Sequence, residues 1–203
     1  KTGVDLPVGK NLMGTITQPK GVFVDIGYLK NIPEKQIRNG LGEIIKYGVI
    51  KDRKLFEYIE KNLDKIIEKD EEALTHIVKE SIRIKTKVVE KDEREGNMRM
   101  ILNYGHTYGH AIEKMSGYKL LHGYAISIGM AIANKIAVEK KLLKKSDSER
   151  IRLLLKKAGL PTTTMKKPTK KDLLGDKKKD GDFINFVFPT KIGKCVIKKE
   201  KCL

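Results

Sequence analysis

From His122 to about Lys141 the chain reads as a helix apolar on nearly every side, with Ala125, Ile126, Ile128, Met130, Ile132, Ile136 and Val138 leaving no broad polar face for water. Such a helix must be wrapped. The run Ala125 to Val138 is too short to span a bilayer and is interrupted by Asn134 and Lys135, so the wrapping has to be protein. A chain of 203 residues can bury one sizeable core around it. The helix is therefore expected to run through the centre of a bundle, with its first turn, at His122, on the edge of the core.

The rest of the pattern supplies the wrapping. Pro33 offers a first helical position for a segment reaching about Gly48, and further helical periodicity appears near 51–66, 70–92, 103–115 and 146–158. Val22 to Ile26, β-branched and apolar after the Gln18-Pro19 turn, predicts a strand or hairpin arm. FINFVF and CVIKK, on either side of Lys191-Ile192-Gly193, predict a terminal β-hairpin. The expected fold is mainly α: a helical bundle with a short N-terminal strand or hairpin region and a C-terminal β-hairpin. The chain opens on KTGVDLPVGKN with no initiator Met, which suggests a fragment. Residues 1–32 read as an edge segment of a larger neighbouring domain and 33–203 as the helical domain.

Charge and cysteine content narrow the setting. The formal net charge of +17 comes from 43 Lys and Arg against 26 Asp and Glu, with a lysine-rich stretch from Lys156 to Lys179. A basic helical module that binds nucleic acid is one reading of that excess. The stretch lacks interleaved aromatics or arginines for reading bases, so a solvated lysine surface, partly facing an anionic substrate, is preferred and neither a nucleic-acid nor a membrane partner is expected. Cys195 and Cys202 fit neither a disulfide framework nor zinc-ligand spacing, and a reducing cytoplasmic setting follows.

Three of the four histidines fall between positions 106 and 122. In LNYGHTYGHAIE, Asn103, His106, His110 and Glu113 advance by three, four and three residues, which on a helix puts all four on one face. An imidazole pair in helical register suits zinc, which in catalytic sites takes three protein ligands and keeps a position for substrate or water. His122 can add another nitrogen from the next helix start. The alternative is a solvent-facing polar stripe with His122 as a cap. In GLGEIIKYG, residues 40–48, Glu43 could be an anionic ligand or half of an exposed ion pair with Lys46, and the helical glycines imply close contact with a partner element. Lys85 interrupts the row Leu74, Val78, Ile82, Val89 and so is expected to point toward the bundle interior, where it either snorkels outward or serves an anion. Arg99 extends the polar stripe back from Asn103 and suits a carboxylate or phosphate. Lys1, Lys10 and Asn11 sit in a Gly-containing opening that is either an exposed loop or an anion contact.

Taken in order and spacing, KTGVDLPVGKN, GLGEIIKYG, KTKVVEKDEREGNMR, LNYGHTYGHAIE and LLHGYAISIGM resemble the 3-dehydroquinate synthase family of sugar-phosphate cyclases over nearly the whole chain. The resemblance implies zinc (or cobalt) held by Glu43, His106 and His122, with His110 a substrate contact. It implies Lys85 and Arg99 on a substrate carboxylate, Lys1, Asn11, Asn103 and His110 around its phosphate, Lys46 near the metal, and Lys10 near the cofactor or phosphate. Lys177 or Lys178 would close on the phosphate. The implied reaction converts 3-deoxy-arabino-heptulosonate 7-phosphate into a carbocycle with phosphate elimination in the shikimate pathway, and NAD is consumed and regenerated within the cycle. Another sugar-phosphate cyclase or a metal-dependent polyol dehydrogenase is the enzymatic alternative. The family carries its NAD domain ahead of the segment seen here and generally forms homodimers, so a missing N-terminal NAD domain is an expected partner and the fragment alone should turn over little or nothing. Two positions depart from the family pattern: Tyr124 stands where Glu is usual, and Gly42 where Ala is usual.

Overall fold

The computed structural model describes residues 3–6, 9–15, 17–93, 98–166, 168–174 and 183–201, with backbone alone for 5, 6, 9–12 and 174. Two short strands, β1 (Val4–Leu6) and β2 (Gly9–Met13), pair antiparallel, Val4 opposite Met13. A 3₁₀ turn, Ile26–Asn31, then leads into α1 (Glu34–Ile50), α2 (Arg53–Ile67) and α3 (Glu71–Lys91). A second 3₁₀ turn, Met98–Asn103, precedes α4 (His106–Met115), α5 (His122–Glu139), α6 (Lys145–Lys157) and the short α7 (Lys170–Leu174). The chain closes with β3 (Phe183–Lys191) and β4 (Lys194–Lys201), an antiparallel hairpin.

Local chemistry sets these boundaries. Pro33, whose missing N–H costs nothing at a helix start, is the N-cap of α1 rather than its first helical residue. Asp52 accepts from the amides of Lys54 and Leu55 to start α2, and Asp70 accepts from Ala73 to start α3. The Asp52 carboxylate is also ion-paired to Arg83, so the same residue fastens α3 to the beginning of α2. Helix α2 buries Leu55, Phe56, Ile59, Leu63 and Ile66, a single stripe at helical spacing. At the end of α6, Gly159 adopts φ of 73°, and the Leu160 amide reaches back to the Leu155 carbonyl at 2.9 Å.

Helix α5 occupies the centre, as its composition requires. Ten of its 18 residues are buried, and it contacts α1, α4, α6 and β3. Two of its neighbours come so close that no side chain fits between. A methyl carbon built on Gly129 would fall 1.9 Å from the Gly105 carbonyl oxygen, and one on Gly123 would fall 1.9 Å from the Asn39 carbonyl oxygen. Within GLGEIIKYG the contact expected for the glycines is made by Gly42, against Gly123, and by Gly48, against Phe56, whereas Gly40 faces open space. The terminal hairpin folds onto the far end of α1, where the Gly193 amide donates to the Val49 carbonyl at 2.8 Å. Phe186, Val187 and Phe188 carry the hairpin into the core.

Two sequence expectations are corrected. Val22 to Ile26 forms no strand: Val22, Phe23 and Val24 belong to no regular element and are exposed, Phe23 almost completely, and Ile26 opens a 3₁₀ turn. A strand needs a hydrogen-bonding neighbour, and among the described residues none pairs with this segment. The helix expected from 103 begins only at His106, because Gly105 takes φ of 79°, a left-handed conformation that ends helical continuity with Asn103. Among the described residues no helix is long and apolar enough to cross a membrane.

The helix contacts give a paired test. Gly129→Ala forces α4 and α5 apart and is expected to lower stability by about 1–3 kcal/mol. Gly40→Ala, on an open helical surface, is expected to raise it by about 0.5–1 kcal/mol. Urea unfolding of both variants reads the difference, and equal effects would contradict the packing described.

Candidate metal centre

Three helices deliver one chemical group each to the same point. Glu43 projects from the middle of α1, His106 is the first residue of α4, and His122 is the first residue of α5. The registration between α1 and α5 has an identifiable cause. The N-cap of α5, Leu121, has no capping side chain, and Asn39 from α1 takes over, its Oδ1 accepting from the Gly123 amide at 2.7 Å. Gln36 steadies that side chain by accepting from Asn39 Nδ2 at 3.2 Å. Asn39 and Glu43 are one helical turn apart, so the contact that fixes the start of α5 also sets Glu43 beside His122.

The resulting geometry is tight. His106 Nε2 and His122 Nε2 each lie 3.2 Å from Glu43 Oε1. The other carboxylate oxygen, Oε2, accepts from Lys46 Nζ at 2.6 Å. Only Oε1 therefore faces the imidazoles. The remaining ring nitrogens are directed elsewhere: His106 Nδ1 is 3.2 Å from the Tyr104 carbonyl oxygen, and His122 Nδ1 is 3.1 Å from Glu113 Oε2. A carbonyl and a carboxylate can only accept, so an N–H on Nδ1 suits either of these neighbours, and it is that tautomer which leaves the Nε2 lone pairs for a cation beside Glu43.

Electrostatics follow from this crowding. Burial pulls the Glu43 carboxyl pKa upward, but hydrogen bonds from His106 and His122 and the Lys46 charge outweigh it and hold the group far below the usual carboxylate range. The His122 imidazole is raised above its ordinary value, first by its contact with Glu43 and then, against the cost of burial, by Glu113. Lys46 is only 3% exposed. Burial lowers its pKa more than Glu43 restores it, and the charge of Lys85 pushes the same way. Tyr47 is pushed up to about 12 by burial and by the Glu43 charge. The i, i+3 pair Glu43–Lys46 thus exists, but it is an interior pair at the site and not the exposed one that helix statistics favour.

Donor chemistry fits a cation. Two imidazole nitrogens and one anionic oxygen converge, each imidazole is oriented through its second nitrogen, and a metal ion can take the place of the protons that otherwise bridge Nε2 and Oε1. A second group of possible ligands, His110, Glu113 and His122, also has its donor atoms within 4.8 Å of one another. Beside the centre lies an open cleft of about 250 Å³ lined by Met100, Asn103, His106, Thr107, His110 and Asn185.

The other sequence candidates are distributed unevenly. His110 stands one turn beyond His106, exposed, its ring centroid 5.2 Å from that of His106 and 5.9 Å from that of His122. Asn103 lines the cleft from the 3₁₀ turn and not from the helix face that carries the histidines. Arg99 lies on the same turn, half-buried, its Nη1 donating to the Glu93 carbonyl at 2.9 Å. Lys85 is exposed, contrary to the expectation that it points inward: α3 buries Ala73, Leu74, Ile77, Ile84 and Val88, and helical periodicity sets Lys85 roughly 80° from the middle of that stripe. Its charge still reaches Lys46. Lys1, Lys177 and Lys178 lie outside the described residues, as do the side chains of Lys10 and Asn11, whose backbones form part of β2. Tyr124 packs, half-buried, against the main apolar core. Asn39, Thr107 and Asn185 were given no role by the sequence, and only the i, i+4 spacing of Asn39 to Glu43 could have drawn attention to one of them.

Residues 40–180 match the family model described as 3-dehydroquinate synthase C-terminal. The chain belongs to the 3-dehydroquinate synthase family. Residues 1–39 match the family's N-terminal model. A 3-dehydroquinate synthase of Prochlorococcus marinus (strain AS9601) is 50% identical over 200 residues, covering 95% of this chain and 55% of that protein. One from Thermodesulfovibrio yellowstonii is 46% identical over 205 residues, covering 98% and 57%. The chain thus spans little more than half the length of the 3-dehydroquinate synthases it matches. Among solved structures, 2-epi-5-epi-valiolone synthase from Streptomyces hygroscopicus subsp. jinggangensis 5008, with NAD+ and Zn2+ bound, superposes with a TM-score of 0.87 at 26% identity, covering 98% of this chain and 57% of that one. A 2-deoxy-scyllo-inosose synthase complexed with carbaglucose-6-phosphate, NAD+ and Co2+ gives 0.83 at 28% identity, covering 98% and 58%.

The trans-helix cap is directly testable. Asn39→Ala is expected to cost roughly 0.5–2 kcal/mol and to speed amide exchange at Gly123 while leaving the C-terminal half of α5 protected. Unchanged exchange at Gly123 would show that Asn39 does not hold the start of this helix.

Proposed function

We propose that the chain forms the metal- and substrate-binding half of a 3-dehydroquinate synthase, a phosphorus–oxygen lyase acting on 3-deoxy-arabino-heptulosonate 7-phosphate in the shikimate pathway. The observation that carries this reading is the meeting of Glu43, His106 and His122 at one point in a chain of this family. Glu43, His106 and His122 are the proposed ligands of zinc or cobalt, the ions named in the two related cyclase structures. A metal bound there supplies Lewis acidity to a substrate hydroxyl, lowering its pKa and orienting it. NAD+, present in both related structures, would supply a reversible hydride acceptor, taking hydride from the alcohol carbon and later returning it, and the family's N-terminal half is its proposed seat.

The chain's own residues account for the remainder. Lys46 neutralises one oxygen of Glu43, which limits that carboxylate to one-point contact and keeps a buried donor next to the reacting oxygens. The cleft adjoining His106 is open and lined by hydrogen-bonding groups from Asn103, Thr107, His110 and Asn185, suited to a hydroxylated, phosphorylated substrate. His110, exposed at the mouth, is proposed to contact the phosphate together with Asn103, and Lys1, Lys10, Asn11 and Lys178 to complete the anion-binding surround. Lys85 and Arg99 are proposed to take the substrate carboxylate. The excess positive charge draws such an anion toward the site.

A related cyclase acting on a sugar phosphate without a carboxylate is the second reading, favoured by the structural similarity at 26% and 28% identity. The higher identity, 46–50%, to 3-dehydroquinate synthases favours the keto acid. Substitution of Lys85 or Arg99 separates the two, since only the keto acid presents a carboxylate.

Two outcomes are expected. Titration of the chain with Co(II) should show one site per chain with ligand-field absorption, and Glu43→Gln, His106→Ala and His122→Ala should each weaken it by more than about 100-fold. No saturable binding by the unaltered chain would remove the metal reading. Joined to an N-terminal half of the kind its longer relatives carry, and given NAD and zinc, the chain should release phosphate from the heptulosonate, and Lys85→Ala or Arg99→Ala should raise KM at least about tenfold, the loss of one charge-assisted contact. Release from an inositol or hexose 6-phosphate but not from the keto acid would favour the second reading.

A further inference from the structure

His122 lies between two carboxylates. Glu43 faces its Nε2 at 3.2 Å from α1, and Glu113 faces its Nδ1 at 3.1 Å from the last turns of α4. Glu113 is 4% exposed, far less than Glu43, and its immediate neighbour Ile112 packs with Ala125 and Ile128 in a separate small apolar cluster. Burying a carboxylate in such surroundings is costly unless a partner offsets it, and an anion so placed acts strongly on whatever it touches.

Two arrangements could explain it. Glu113 could ligate a second cation with His110 and His122, whose donor atoms come within 4.8 Å of one another and of its own. That arrangement requires a lone pair on His122 Nδ1. That Nδ1 atom stands 3.1 Å from an oxygen that can only accept, while Nε2 is the nitrogen that His122 shares with His106 around Glu43 Oε1, so on the ligand reading Nε2 gives its lone pair to the cation and Nδ1 carries the N–H that Glu113 accepts. With the proton fixed on Nδ1, the lone pair falls on Nε2, the atom directed at Glu43. His106 shows the same device with a weaker acceptor, its Nδ1 facing the Tyr104 carbonyl at 3.2 Å.

Resting on the reading of Glu43, His106 and His122 as metal ligands, we propose that Glu113 is a positioning residue that fixes the ring angle and tautomer of His122 and, through its charge, makes Nε2 the stronger donor of the two imidazoles. Its spacing explains how α4 can do this: Glu113 follows His106 by seven residues, two helical turns, so one helix face supplies a ligand at its start and the orienting group for another ligand near its end. The Asn39 contact holds the backbone at residue 123, and Glu113 holds the ring.

The test is Co(II) titration of the chain and of Glu113→Gln, which keeps the shape and removes the charge, alongside proton spectra of the cobalt forms. The unaltered chain should bind one Co(II) and show two strongly shifted, exchangeable imidazole N–H signals, that of His122 slow to exchange. Glu113→Gln should bind about 10–100-fold more weakly, with the His122 signal lost or rapidly exchanging and the His106 signal kept, and with no loss of metal-free thermal stability. Unaltered affinity and spectrum in Glu113→Gln would overturn the assignment while leaving the metal reading intact. Two cobalt ions per unaltered chain, one of them lost in Glu113→Gln, would overturn it in favour of the second cation. Failure of the unaltered chain to bind cobalt overturns both readings. Should Glu113→Gln not fold, the unaltered protein still decides: absence of a slowly exchanging His122 N–H in its cobalt spectrum refutes the role.

Discussion

The structure depends on how closely the backbone of α5 approaches its two neighbours. At Gly123 it meets α1, and at Gly129 it meets the start of α4, in each case with a carbonyl oxygen where a side chain would have to sit. Helices separated by ordinary side chains lie with axes about 8–10 Å apart. At such spacing, residues on three helices reach a common point only through long side chains. Removing the side chains at the crossings lets a glutamate and two histidines, all of modest length, come within 3.2 Å of a common oxygen. The glycines are thus part of the site although no glycine touches it chemically.

The same contacts determine where the site opens. Both histidines are the first residues of their helices, so the positive ends of two helix dipoles point to the carboxylate of Glu43. That field supports the carboxylate, while Glu43 and Glu113 raise the His122 imidazole above its ordinary value. A single cation at this point can meet the carboxylate oxygen and both Nε2 atoms together. Lys46, held in the interior on the other side of Glu43, takes Oε2, so that Oε1 is the oxygen left to face the histidines.

Much of this was legible in the sequence because helices record their surroundings at a fixed period. The five long helices other than α4 run within a few residues of where apolar spacing placed them, and the unbroken apolarity of α5 announced its central position. The histidine spacing of LNYGHTYGHAIE and the start of α5 at His122 were likewise readable. What failed were inferences that required a partner. Val22 to Val24 has strand-forming side chains, but strand formation needs an edge to pair with, and the segment remains exposed. Lys85 fell in a plausible apolar row, yet α3 turned a neighbouring stripe inward, and a row of four residues does not distinguish directions some 80° apart. Glu113 was visible in the histidine stripe, but nothing in the sequence indicated that apolar residues from α5 would close around that turn and leave the carboxylate with His122.

The departures from the family pattern clarify which constraints are strict. Gly42, where the resemblance leads one to expect Ala, stands at a crossing where a methyl carbon would lie 2.6 Å from the Gly123 carbonyl oxygen. An Ala there is compatible with the fold only if the two helices stand slightly further apart, so the glycine permits a closer α1–α5 contact. Tyr124, where the resemblance leads one to expect Glu next to His122-Gly123, packs partly buried against the main core. The charge given up at position 124 is therefore not taken from His122, whose second nitrogen already has a carboxylate in Glu113. Among the described residues, the charged groups and imidazoles that define the polarity of the junction come from α1, α4 and α5, with the Tyr104 carbonyl just ahead of α4 facing His106.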